Sequence, residues 1–251
     1  MKKFKLTLIL LLVFTTCQAQ EKLLTRNSFL TAGLSQVNED ANFGLVFSGP
    51  AINYGMTWKS LNEKRLIEYE YELGARILFS REIPALGFYL KPVDLNYLFK
   101  FQDKELYIGP QLQLEYNYNL YPDLQAGFDY WFTNLSLGIN ARYSFNYKES
   151  SFIVMLNSSL AGFTSRQAAY RNPYFYDIGF NHAIRHLNQN LSFGSVNDFN
   201  TTNLEIFWKR RVESRLTFGY CLNYYGYFEK PEITILNHGI KLIISKKQKI
   251  K

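Results

Sequence analysis

The sequence predicts an all-β protein: a transmembrane antiparallel β-barrel of about twelve strands, with ten the next choice, following a cleaved signal peptide. Three observations carry this. Long stretches alternate strictly between apolar and polar residues, which is the period of a strand with two different faces. These stretches exceed the five or six residues usual in globular sheets and are long enough to cross a bilayer at a tilt. The chain also opens on an export signal.

That signal is Met1 to Gln20: a Lys-rich start, the apolar run Leu6 to Phe14, then a polar end with small residues. Its apolar part is too short to span a membrane as a helix. Cleavage after Ala19 fits a small-x-small pattern with Cys17. The rival reading is a lipoprotein signal acylated at Cys17. The expected organisation is therefore a signal peptide over 1–19, a barrel over 20–245 and a basic tail over 246–251.

Strands follow in order. Ser28 to Gln36 is a weak first one. Phe43 to Lys59 changes phase near Gly49 and Pro50, as a bulge would cause. Leu66 to Phe79 sets Tyr69, Tyr71, Leu73, Ala75 and Ile77 against Glu68, Glu70, Glu72 and Arg76. Gly87 to Phe101 ends with Val93, Leu95, Tyr97, Phe99 and Phe101 opposite Asp94, Asn96 and Lys100. Leu106 to Tyr118 alternates Leu112, Leu114 and Tyr116 with Gln111, Gln113 and Glu115. Leu124 to Phe132 reads as a strand with Asp129 on its polar face, and Leu135 to Tyr147 as another, separated by a turn near Thr133. Runs around Phe152–Leu160, Leu204–Trp208, Leu216–Tyr224 and Leu236–Ile244 bring the count to eleven. Both termini of a single-chain bacterial barrel lie on one side, so the count must be even. Short turns near Asp103, Thr133 and Glu213 then place a hidden crossing in Thr164–Asn200, best at Asn188–Val196 with Leu191 and Phe193 outward.

The last strand carries Asn237-His238-Gly239-Ile240-Lys241-Leu242-Ile243-Ile244. This resembles the C-terminal assembly signal of outer-membrane proteins, with Leu242 and Ile244 where aromatics are common. With 19 Tyr and 21 Phe, the chain looks like a small outer-membrane barrel of the Bacteroidota kind. The resemblance implies outer-membrane lipid and the barrel assembly machinery as partners.

Charge narrows the function. The formal net charge is +7, from 28 basic and 21 acidic residues. Lys2, Lys3 and Lys5 belong to the signal and Lys246, Lys247, Lys249 and Lys251 to the tail, which leaves 21 against 21 in the body. No basic face remains for nucleic acid. A mean hydropathy of -0.19 is compatible with a barrel, which shows lipid only every second residue. Arg or Lys facing lipid at mid-depth costs about 2–4 kcal/mol, so the charged faces point inward. The expected lumen lining is Glu68, Glu70, Glu72 and Arg76 on one strand, with Lys100, Glu115, Asp129 and Arg142 from the next. Glu205, Lys209, Arg211 and Lys241 join them from the C-terminal strands. Three Glu on one strand need neutralising partners such as Arg76 or Arg142.

Thr164 to Asn200 is the long irregular stretch, where function concentrates on a rigid scaffold. It holds an aromatic cluster, Arg171 to Tyr176, and a short helical pattern that would set His182 and His186 on one face. Two His four apart can hold a metal, but no flanking Glu completes a zinc-protease motif. No metal and no cofactor is expected. Ser192 and Ser195 complete a candidate loop site. A nucleophilic hydrolase needs Ser beside His. Outer-membrane lipases place Ser two residues after the His, followed by Asn, and none of His182, His186 or His238 is followed so. The expected function is a narrow pore for small polar solutes, or an accessory subunit of an outer-membrane complex. An outer-membrane lipid hydrolase, of the phospholipase or lipid A deacylase type, is the alternative, and an enzyme is the less supported reading.

Overall fold

The computed structural model describes residues 23–40, 44–102, 105–122, 128–166, 191–211, 214–229 and 232–249, with backbone alone at 23, 24, 128, 129, 166 and 247–249. The signal and Cys17, together with His182 and His186, lie outside these residues. Eleven antiparallel strands form: β1 Leu23–Glu39, β2 Val46–Leu61, β3 Arg65–Ser80, β4 Ile83–Lys100, β5 Leu106–Tyr121 and β6 Phe128–Tyr147. The others are β7 Ser150–Arg166, β8 Ser192–Ser195, β9 Phe199–Lys209, β10 Leu216–Tyr227 and β11 Ile233–Lys249. Each pairs with the next, except that β8 does not pair with β9 and β7 pairs with both; β1 pairs with β11 from Leu23↔Lys249 to Glu39↔Ile233. Ten strands thus close a ring, which leaves no long unpaired edge.

Ten, the second choice of the sequence reading, replaces twelve, and one misread turn accounts for the difference. Thr133 is no turn; it lies inside the 20-residue β6, opposite Tyr116 on one side and Ser165 on the other. Leu124–Phe132 and Leu135–Tyr147 are therefore not two strands. Removing that false turn also removes the parity that demanded a crossing at Asn188–Val196. The segment does contain β8, but β8 and β9 both run antiparallel to β7, along Ala161–Thr164 and Ser151–Ser158 respectively. β8 adds no crossing and lies outside the ring of ten. The ladder is interrupted between them, where Asp198 N–H donates to the Ser195 carbonyl at 2.9 Å. Side chains cover the gap: Asn200 Nδ2 donates to Ser158 Oγ at 3.2 Å, and Thr201 N–H to Ser159 Oγ at 2.8 Å. The last strand also outruns the expected boundary at 245, since backbone pairing continues to Lys249.

The two faces invert the order of a water-soluble protein. Outward positions are apolar and exposed, with Leu137 at 60%, Ile240 at 65% and Ile52 at 53%. Inward positions are polar and buried, including Asn119, Asn134, Gln113 and Glu68. A continuous exposed apolar belt around a closed barrel is the surface that lipid covers. Leu137→Arg, at the middle of β6, is expected to destabilise the barrel by about 2–4 kcal/mol, and Tyr147→Arg at the rim by about 1 kcal/mol or less. Urea unfolding in phosphatidylcholine vesicles measures both.

The first residues of β1 and the last of β11 lie at one end, here called the terminal end, where β2 gives way to β3, β4 to β5, β6 to β7 and β9 to β10. At the opposite, far end β7 stops and β8 begins.

Candidate functional site: a sealed, charged lumen

Three layers fill the barrel from the terminal end to the far end. The first is an open vestibule of about 700 Å³, bordered by Lys59, Arg142, Lys209 and Arg215 together with Leu66 and Phe207.

Below it lies an ionic layer centred on Lys91. Its Nζ is 2.9 Å from Glu70, 3.4 Å from Glu72 and 3.1 Å from Asp94. Glu70 also accepts from Thr57 Oγ1 at 3.0 Å and lies 3.6 Å from Lys241 Nζ. Lys241 in turn pairs with Glu205 at 2.8 Å and rests 3.9 Å above the Phe29 ring. Phe29 is seated over Gly55, where a Cβ would come within 2.3 Å of its ring. Glu68 takes two cations, Lys59 at 2.8 Å and Arg142 at 3.0 Å. Arg142 reaches Glu68 from β6 to β3, so the bond crosses the lumen rather than following the wall. Amides complete the layer: Gln111 and Asn96 donate to Asp94 at 2.8 and 2.9 Å, and Asn140 donates to Asn96 at 2.8 Å. Tyr89 and Gln113 both donate to Glu115. Arg76 bridges to β5, donating to Asn119 Oδ1 at 2.8 Å and Asn117 Oδ1 at 3.3 Å. It fits because Gly87 leaves its place free; a Cβ there would meet Arg76 Nε at 2.2 Å. Among all these side chains the remaining cavity is about 60 Å³, room for a few waters.

The third layer is apolar and lies inside the far end. Val37, Phe47, Leu78, Ala85, Tyr121, Tyr130 and Phe132 from β1–β6 meet Phe199, Tyr225, Tyr227, Ile233 and Ile235 from β9–β11. Phe132 stacks on Tyr225 with ring centres 4.4 Å apart, and Phe47 lies 4.8 Å from Tyr121. Tyr121 donates its hydroxyl to Glu39 at 3.0 Å, so the phenol does not leave a bare polar atom in the plug.

Of the expected lining residues, Glu68, Glu70, Glu72, Arg76, Glu115, Arg142, Glu205 and Lys241 meet inside. Arg76 was expected to neutralise the Glu row; it binds the Asn pair instead. Lys100 sits near the rim and pairs with Glu105 at 2.9 Å, while Lys209 borders the vestibule. Arg211 is a correction: it lies exposed in the β9–β10 turn, two residues past the end of β9 and outside the lumen. The Asp129 side chain is outside the described ones. A strand over Leu124–Phe132 with Asp129 on its polar face would set Tyr130 and Phe132 on the opposite face; because β6 is continuous, they point inward into the plug.

The residue missed was Lys91. Leu90 and Val93 both face outward because β4 carries a bulge: Pro92 and Val93 lie opposite Tyr71, between Glu70↔Asp94 and Glu72↔Lys91, and Lys91 and Pro92 lie opposite Glu115, between Leu90↔Tyr116 and Val93↔Leu114. Extending the phase of Val93, Leu95 and Tyr97 backwards assigns Lys91 to lipid; the bulge turns it inward. Pro92 beside it, which lacks the ladder donor, was the available signal.

The loop candidates do not form a catalytic group among the described residues. Ser192 is exposed at the start of β8, and Ser195 turns to Asp198, with its N–H 2.7 Å from Asp198 Oδ2. His238 lies in the lipid-facing register, opposite Leu34 and Leu222 and 6.3 Å from the Tyr220 ring. Among the described residues no cluster of three His, Cys, Asp or Glu offers a metal cage.

No protein-family model and no curated sequence matches the chain. Solved structures do. The translocator domain of the autotransporter NalP from Neisseria meningitidis aligns over 97% of this chain and 95% of its own, with 6% identity and a TM-score of 0.50. The β-domain of the Bordetella autotransporter BrkA aligns over 90% and 99%, with 11% identity and a TM-score of 0.45. The outer-membrane protease OmpT from Escherichia coli aligns over 93% and 100%, with 8% identity and a TM-score of 0.43. At 6% identity the first likeness is one of fold: the chain folds as an outer-membrane β-barrel.

Proposed function

We propose that this protein is an outer-membrane β-barrel with a closed lumen, serving as an accessory subunit of an outer-membrane complex rather than as a solute pore. The observation that supports this is the cross-section itself. Ion pairs and amide bonds reach from β3 to β6 and β11, the cavity among them is about 60 Å³, and an apolar layer lies behind it. The acidic row of Glu68, Glu70 and Glu72 is fully engaged by Lys59, Lys91, Arg142 and Lys241, so it offers no selectivity ring to a passing cation. In this reading the signal over 1–19 exports the chain and the assembly machinery inserts it. The terminal end faces the periplasm, and the far end, where β7 stops, faces outward. The basic vestibule is then the periplasmic cup open to a partner. Ion conductance across a planar bilayer tests the proposal, and none is expected.

A further inference from the structure

The barrel closes where β1 meets β11, and at the terminal end of that seam two cations stand directly opposite each other. Arg26 is the register partner of Lys246. Both are exposed and both continue the lipid-facing rows, which descend through Leu30 on β1 and Ile244 and Ile240 on β11. Like charges directly across a ladder are unfavourable. Nothing of opposite charge relieves them: among the described residues neither makes an ion pair, and Arg26 Nη2 donates to the thioether of Met56 at 3.0 Å. The guanidinium is held in place by Trp58, its partner on β2, with Cζ 5.7 Å from the ring centre.

On the reading of the chain as a membrane barrel, this depth is that of a bilayer's headgroups. Lys246 also borders the open vestibule. At the same end two more cations lie over outward aromatic rings, Arg65 over Tyr97 at 5.9 Å and Lys148 over Tyr147 at 5.5 Å. Aromatic residues with long cationic side chains gather where the apolar core gives way to headgroups. A forked guanidinium and an ammonium on directly opposed residues suit the oxygens of one phosphate.

We propose that Arg26 and Lys246 clamp the phosphate of an anionic lipid headgroup across the β1–β11 seam, so that the lipid fastens the closure of the barrel. The clamp rests on the reading of the chain as a membrane barrel. Failure to insert into any vesicle would defeat that reading, whereas insertion with lipid-independent stability would defeat the clamp alone.

The test is urea unfolding of the full barrel in vesicles of phosphatidylcholine and in a phosphatidylcholine–phosphatidylglycerol mixture. Phosphatidylglycerol is expected to lower the wild-type unfolding constant on the order of tenfold. Arg26→Gln and Lys246→Gln should each lose most of that gain, and Arg65→Gln little of it. In phosphatidylcholine alone the sign reverses: either seam variant should be more stable than the wild type, because the repulsion has gone. A merely structural role for Arg26 would not give that reversal. Equal loss in Arg65→Gln would mean diffuse attraction to the surface and would overturn the clamp, as would an unchanged response in both seam variants. Inorganic phosphate added to phosphatidylcholine vesicles separates the sources; if it reproduces the gain, the ligand is a free anion and the lipid assignment fails.

Discussion

Lys91→Met is expected to destabilise the folded barrel by about 3–5 kcal/mol, the effect of leaving buried carboxylates without their cation. Lys91 is the shared partner of Glu70, Glu72 and Asp94, all within 3.4 Å, and its side chain is almost wholly buried. Its loss leaves Glu72 with the Asn53 amide at 2.9 Å, Asp94 with two amides, and Glu70 with Lys241 and Thr57. The penalty is therefore one of uncompensated charge more than of lost contact, and it has a rescue. Glu72→Gln in the Lys91→Met background should recover part of the loss, because the amide needs no cation and still accepts from Asn53. Urea unfolding in phosphatidylcholine vesicles reads both. A Lys91→Met barrel as stable as the wild type would mean that water reaches the layer freely, contrary to a sealed lumen.

Phe132→Ala should destabilise by a similar amount, about 3–5 kcal/mol, through the loss of buried apolar surface and the cavity left behind. Phe132 is 1% exposed and stacked on Tyr225 across the far-end plug. The two substitutions differ in what they leave intact. With Phe132 removed, the ionic layer below still crosses the lumen from β3 to β6 and β11, so the variant should be weaker but still closed. A Phe132→Ala barrel with unchanged stability would show that the far-end side chains are not packed as a layer.

The wall was legible in the sequence because a barrel's faces are set by neighbours two apart, and that information is local. The alternation of Leu112, Leu114 and Tyr116 with Gln111, Gln113 and Glu115 gave the β5 faces correctly, and the lipid penalty on charge gave their direction. The mistakes came where the period breaks or is imitated. Thr133 and Asn134 read as a turn because two polar residues end an apolar run. In the barrel they are consecutive residues of a strand that is buried on both faces from Tyr130 to Asn134, Trp131 and Thr133 included. At Lys91 the period truly breaks, and a bulge is a two-strand event that one strand's pattern does not announce. The partners across the lumen were harder still. That Arg142 would find Glu68, while Arg76 would find Asn119, depends on ring size and strand stagger, which follow from ten strands rather than twelve. The far-end plug stayed hidden for the same reason, since Tyr130 and Phe132 change face once β6 is continuous.

The proposed closure of the lumen by side chains is decided by single-channel recording in planar bilayers. Wild-type protein whose insertion is confirmed independently should give no conductance steps at any applied potential. The same should hold for Phe132→Ala, in which the ionic layer persists. Steady, ohmic conductance from the wild type would contradict the account, because ions would then be crossing both the layer around Lys91 and the aromatic plug behind it.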